Sequence, residues 1–142
     1  MKKHKTSEKE IVELSIVLPC LNAELTVGTC VAQAQSFLAE SGINGEVIVA
    51  DNGSTDRSVE IAKGHGARVA HITNKGYGSA LKGRFEVARG KFIIMADADE
   101  SYDLVNLMPF VEKLRDGYDL VMGNRFKGGI KKGAMPWHHK YI

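Results

Sequence analysis

The stretch "LSIVLP", Leu14 to Pro19, decides how the rest of the chain is read. It is a short apolar run rich in β-branched residues and closed by proline, the pattern of a buried strand. Directly after it Val27, Cys30, Val31, Ala34, Phe37 and Leu38 recur at helical spacing, and the run ends at "ESG", where Gly42 can cap the helix. "EVIVADNGS", Glu46 to Ser54, reads as a second strand entering a turn, with Ser54 or Thr55 as N-cap of a helix carrying Val59, Ile61 and Ala62. Further on, "RVAHIT" predicts a third strand, "GSALKGRFEVARG" a third helix, "KFIIMAD" a fourth strand and "DLVMGNRF" a fifth. Between the last two strands, Pro109 suits the first turn of a helix with Val111 and Leu114 inward. The closing "KGGIKKGAMPWHHKYI" has no period and is expected not to return to the core, so it reads either as an active-site loop closing a small domain or, the favoured reading, as the point where the front portion of a longer protein stops.

Strands that are apolar on both faces and separated by helices imply a mainly parallel sheet with helices on both faces, so the fold class is α/β. Such sheets bind ligands outside the carboxyl ends of their strands. Five polar motifs fall at those ends: "PCLNAE", "DNGSTD", "NKGYG", "DAD" and "GNR". The chain, 142 residues long, 44% apolar and 25% charged, has the makeup of one ordinary globular domain.

A net charge of +2 does not call for nucleic acid, and none is expected as a partner. The distribution is more informative. Acidic residues stop at Asp119, and after it come Arg125, Lys127, Lys131, Lys132 and Lys140 with His138 and His139. An acidic patch followed by a basic segment suits a metal with an anionic ligand, or else two solvated surfaces. Cys20 and Cys30 lack CxxC spacing and read as buried free thiols in a reducing compartment. No apolar run approaches the ~18 residues of a membrane span. The leader "MKKHKTSEKE" has no signal-peptide core, and residues 1–13 are expected to form a flexible charged tail.

In "FIIMADADESYD", Phe92 to Asp103, four carboxylates crowd into seven positions, which is repulsive unless a cation sits among them. Asp97 and Asp99 are the candidates for a Mg²⁺ or Mn²⁺ ion, both of which favour oxygen ligands. The alternative is a solvated turn, to which Glu100 and Asp103 are assigned, with Asp103 capping the next helix. Asp51 leaves a strand where it can accept from ribose hydroxyls or a base N–H. Alternatively it satisfies backbone donors in a capping turn, a reading that suits Asp56 better, since Asp51 precedes the cap. Gly76 and Gly78 let backbone pass close to a nucleotide. Arg125 can hold a phosphate or pair with the acidic cluster. His138 and His139 are adjacent and need not converge on a metal.

Several classes are excluded. No "GxxxxGK[ST]" P-loop is present, and the first strand-to-helix turn, "PCLNAE", is not a dinucleotide fingerprint. The early glycine-rich loop of sugar-nucleotide pyrophosphorylases is missing. A phosphoacceptor signalling domain needs an acidic pair after its first strand, and "VLPCLN" has none.

Taken in order, "SIVLPCLNAE", "VIVADNGSTDRS", "NKGYGSA", "IIMADADESYD" and "MGNRF" resemble the family 2 glycosyltransferases of GT-A, Rossmann-like fold. The likeness is to the branch of dolichyl-phosphate mannosyltransferases and bacterial polyprenyl-phosphate glycosyltransferases. It implies that residues 14–142 form a nucleotide-sugar-binding and catalytic domain, the N-terminal portion of a longer protein. It implies Pro19 and Glu24 in the nucleoside pocket, Asp51 on the base and Gly76 and Gly78 along the donor. Asp97 would approach the nucleoside and diphosphate, Asp99 would be the main ligand of Mg²⁺ or Mn²⁺, and Arg125 would face the acceptor phosphate. The implied reaction is an inverting transfer from a nucleoside-diphosphate sugar to a lipid phosphate at a membrane surface, in a protein of the cytoplasm or the inner membrane face. A nucleotide-sugar-binding module without an intact acceptor site is the other reading. The family often carries Gln two residues after the second Asp, as a further metal ligand; here that position is Ser101.

Overall fold

A computed structural model describes residues 11–72, 83, 86–98 and 103–117, together with the backbone of residues 120–121, 130–131 and 140–141. The first half of the chain alternates strand and helix: β1 (Leu14–Cys20), α1 (Val27–Ser41), β2 (Gly45–Asp51), α2 (Ser58–Gly64) and β3 (Arg68–His71). There follow β4 (Phe92–Met95), α3 (Met108–Arg115), β5 (Leu120–Val121), β6 (Ile130–Lys131) and β7 (Lys140–Tyr141). The strands form one sheet in the order β3-β2-β1-β4-β7-β5-β6. All its pairings are parallel except β5 with β6.

Strand alternation divides the core in two. Leu14, Ile16 and Leu18 of β1, Val47 and Val49 of β2, and Phe92 and Ile94 of β4 share one buried cluster with the inward stripes of all three helices. On α1 that stripe is Val27, Cys30, Val31, Ala34, Phe37 and Leu38, the set its helical spacing predicts. On α3 it is Val111 and Leu114, with a proline in the first turn. Val17, Ile48, Ala50, Ile72 and Ile93 make the core of the opposite face, against which Val87 and Ala88 pack. The helix expected over residues 78–90 lies largely outside the described residues.

Two glycines do specific work. Gly42 closes α1 at φ 73°, its N–H returning to the Leu38 carbonyl at 3.1 Å; a left-handed residue there costs a side chain-bearing amino acid more than glycine. Gly90 lets the turn before β4 press on β1, where an added Cβ would meet the Ser15 nitrogen at 2.5 Å.

Two expectations need correction. The helix after β2 begins at Ser58, not at Ser54 or Thr55, and carries no side-chain cap; the two hydroxyl residues are drawn to a neighbouring loop instead. The closing segment does return to the sheet, through β6 and β7, with β7 lying between β4 and β5. Two-residue bridges are held by backbone hydrogen bonds and leave no periodicity to read. Among the described residues no helix is long and apolar enough to cross a membrane.

Candidate active site

The connections from β1 to β2 to β3 run toward one edge, while β4 pairs with the other side of β1. The sheet therefore reverses direction between β1 and β4, and open α/β sheets bind ligands in the crevice at such a point, outside the strand ends. A pocket of about 300 Å³ lies there, lined by Pro19, Cys20, Leu21, Ala23, Asn52, Asp97 and Ala98. Three separate strand ends thus contribute to one cavity. Cys20 forms a wall of it, and burial pushes this free thiol above its ordinary range, outweighing hydrogen bonds involving Ser58 and Ser54.

The loops after β1 and β2 are stapled to each other. Asn22 N–H donates to the Ser54 hydroxyl at 2.9 Å, and Thr55 N–H donates back to Asn22 Oδ1 at 2.8 Å. Ala23 N–H donates to the buried Ser58 hydroxyl at 2.8 Å, and that hydroxyl donates to Asp56. Glu24 N–H reaches Asp56 Oδ2 at 3.2 Å, while Glu24 Oε1 accepts from Arg57 N–H at 2.9 Å. Hydrogen bonds from Ser58, the hydroxyl foremost, hold the Asp56 carboxyl below the usual carboxylate range. Asn22 takes a left-handed φ of 52° to make this fit. Glu24, expected in the nucleoside pocket, is placed in this staple, and it does not line the cavity of Pro19 and Asp97.

Asp51 ends β2 and is 2% exposed. Its Oδ2 accepts from Gly53 N–H at 3.2 Å and Ser54 N–H at 3.1 Å. The expectation that backbone donors explain this residue poorly is therefore corrected, because the turn folds back over the strand end. That accounts for one oxygen only. Oδ1 is buried and has no hydrogen-bond partner among the described residues. In register with Asp51 on β3 stands His71, whose exposed imidazole places Nδ1 3.7 Å from Asp51 Oδ2. Sequence reasoning passed over His71, although its position at a strand end is the same signal that singled out Asp51.

Asp97 follows β4 and is exposed, with no hydrogen bond or ion pair drawing on its carboxylate among the described residues. The turn that carries it is pinned by Thr26, whose hydroxyl donates to the Ala98 carbonyl at 2.5 Å. Thr26 was not anticipated, since only the fold brings it 72 positions along the chain to that carbonyl. No group of three His, Cys, Asp or Glu side chains converges among the described residues. A hard divalent cation needs only one or two carboxylates when phosphates and water complete its shell. An exposed, oxygen-only donor without other partners among the described residues fits such an ion. Asp103 turns out not to cap α3, which starts at Met108; its carboxylate accepts from Val105 N–H and the Asn106 amide in a local turn. Gly76, Gly78, Asp99, Glu100, Arg125, His138 and His139 lie outside the described residues.

The family model for glycosyl transferase family 2 matches residues 15–142. The chain belongs to glycosyltransferase family 2. Among curated relatives, a low-salt glycan biosynthesis hexosyltransferase, Agl6, of Haloferax volcanii is 42% identical over 130 residues, covering 91% of this chain and 31% of the relative. A dolichyl-phosphate hexose transferase of the same organism is 33% identical over 122 residues, covering 86% of this chain and 50% of the relative. The chain thus spans half or less of these relatives' lengths. Among solved structures, glucosyl-3-phosphoglycerate synthase from Mycobacterium tuberculosis, in complex with Mn²⁺, UDP-glucose and phosphoglyceric acid, superposes with a TM-score of 0.54. It is 29% identical, and the match covers 61% of this chain and 33% of that one. The α/β architecture is that of the GT-A glycosyltransferases, as the resemblance implied.

Proposed function

We propose that this family 2 domain is the donor-binding and catalytic part of a metal-dependent, inverting hexosyltransferase. Its donor is a nucleoside-diphosphate sugar of GDP-mannose or UDP-glucose type, and its acceptor a polyprenyl or dolichyl phosphate at a membrane surface. The observation that carries this reading is the pocket at the sheet's reversal point, which unites Pro19 of β1 and Asn52, the residue after Asp51, with Asp97. Pro19 and Asp51 hold the nucleoside, and Glu24 acts on the pocket through the loop it staples. Gly76 and Gly78 line the donor. Asp97 and Asp99 hold Mg²⁺ or Mn²⁺ against the diphosphate, and Arg125 meets the acceptor phosphate. The bound ion supplies Lewis-acid stabilisation of the leaving diphosphate. A phosphate acceptor is already ionised, so the residues around it position it and no strong general base is required.

Calorimetric titration with UDP and GDP, with and without Mn²⁺, tests the reading directly. Binding of at least one nucleotide should require the metal and weaken about tenfold or more in Asp97→Asn and in Asp99→Asn, as expected when a charged ligand to the ion is lost. A folded chain that binds neither nucleotide would refute it. Product analysis with polyprenyl phosphate then separates transfer from donor binding alone.

A further inference from the structure

The turn after β4 is anchored on both sides of Asp97. On the strand side Ala96 is buried, and its N–H donates to the Val17 carbonyl at 3.1 Å, extending the pairing of β4 with β1. On the far side Ala98 is buried, and its carbonyl accepts from the Thr26 hydroxyl at 2.5 Å. Asp97 stands exposed between these anchors, on the wall of the pocket. Thr26 occupies the N-cap position of α1, where a threonine oxygen ordinarily accepts from a main-chain N–H of the first turn. Here it makes no such cap. Its single proton has two carbonyls nearby, and the one of Ala23, at 3.5 Å, is too far to compete with that of Ala98. The hydroxyl therefore serves a turn 72 positions along the chain rather than its own helix.

On the donor-site reading above, we propose that Thr26 is a positioning residue for the divalent ion. The carbonyl it holds belongs to the peptide group that links Ala98 to Asp99. Fixing that group restrains the backbone between the two carboxylates assigned to the metal, so that both are offered at one spacing. Small ions make the strictest use of such a restraint. Mg²⁺ demands near-ideal octahedral geometry at short distances, whereas Ca²⁺ accepts longer contacts in flexible arrangements. A turn released from Thr26 therefore loses more of its hold on Mg²⁺ than on Ca²⁺.

Calorimetric titration with UDP and GDP in Mg²⁺ and in Ca²⁺, on the wild type, Thr26→Val, Thr26→Ser and Arg115→Ala, is the test. Valine keeps the shape of threonine without the hydroxyl, and serine keeps the hydroxyl without the methyl. Arg115→Ala, which breaks an ion pair at the end of α3, controls for a general loss of stability. In Thr26→Val the ratio of nucleotide affinity in Mg²⁺ to that in Ca²⁺ should fall about fivefold or more. Thr26→Ser should stay within about twofold of the wild-type ratio, and Arg115→Ala should match it. A Thr26→Val chain with a lower urea midpoint but an unchanged ratio would overturn the inference, because the hydroxyl would then only tie α1 to β4. A serine variant as impaired as the valine one would overturn it too, and so would a wild type that binds nucleotide in Mn²⁺ but not in Mg²⁺; each leaves the donor site in place. If neither nucleotide binds the wild-type chain with any of these ions, the donor-site reading fails and takes this inference with it.

Discussion

Glu46, at the amino end of β2, shows how much a single carboxylate can organise. It accepts from the Ser15 hydroxyl at 2.6 Å, from Arg89 N–H at 2.8 Å and from the Arg68 guanidinium at 3.0 Å. Burial raises its pKa, but these donors together outweigh burial and hold it below the ordinary carboxylate value. With the folded pKa below the unfolded one, the stabilisation is full above the unfolded value and disappears as pH falls through the folded one. Replacing Glu46 by Gln puts two new donors among existing donors and should cost about 1–3 kcal/mol in urea unfolding at neutral pH. The deficit should shrink once the medium is acidic enough to protonate the wild-type carboxyl; a deficit independent of pH would contradict the charge-assisted account. The partners lie 31, 43 and 22 positions away, so no sequence window contains this network. Asp51 is the intermediate case. Its place at a strand end was legible, yet the different fates of its two oxygens depend on how the following turn folds back.

At the scale of elements, apolar periodicity located β1, α1, β2, β3, β4 and α3, because a stripe that must be buried leaves a repeat in the chain. It failed where polar residues had two possible employers. Ser54 and Thr55 looked like helix caps, but the neighbouring loop's Asn22 engages both, and α2 starts later, at Ser58. Ser58 is the centre of that staple, accepting from Ala23 N–H and donating to Asp56. Ser58→Ala leaves the partly buried Ala23 N–H without its acceptor and should destabilise the fold by about 1–2 kcal/mol. Hydrogen exchange should accelerate at residues 22–24 and 54–58 more than in α1; protection unchanged in those loops would show that the staple is not what orders them. Gly90→Ala is the corresponding test on the opposite edge. A methyl group 2.5 Å from the Ser15 nitrogen forces β4 away from β1, and a lower urea midpoint is expected.

For the molecule as a whole, Glu13 and Arg115 close a loop of 102 positions by a two-pronged ion pair, at 2.7 and 2.8 Å, joining the entry of β1 to the end of α3. The Arg115 hydrogen bond is the main reason that the Glu13 carboxyl sits below its ordinary range. Because the pair is partly exposed, Arg115→Ala should cost only about 0.5–1 kcal/mol, less at high salt, and by the same sign argument less again in acid. Equal midpoints for variant and wild type at low salt and neutral pH would show the pair to be without weight. The sequence by itself determined the α/β class, the burial stripes, and the fact that carboxylates and glycines gather after strands, because periodicity and chain punctuation are local properties. Tertiary structure alone decided that β4 joins the far side of β1, that the ends of β1, β2 and β4 therefore enclose one pocket, and that among the described residues Asp51 keeps one oxygen unpartnered. Strand order and side-chain partnership are settled by contacts between distant segments, and those energies leave no trace in any short stretch of the chain.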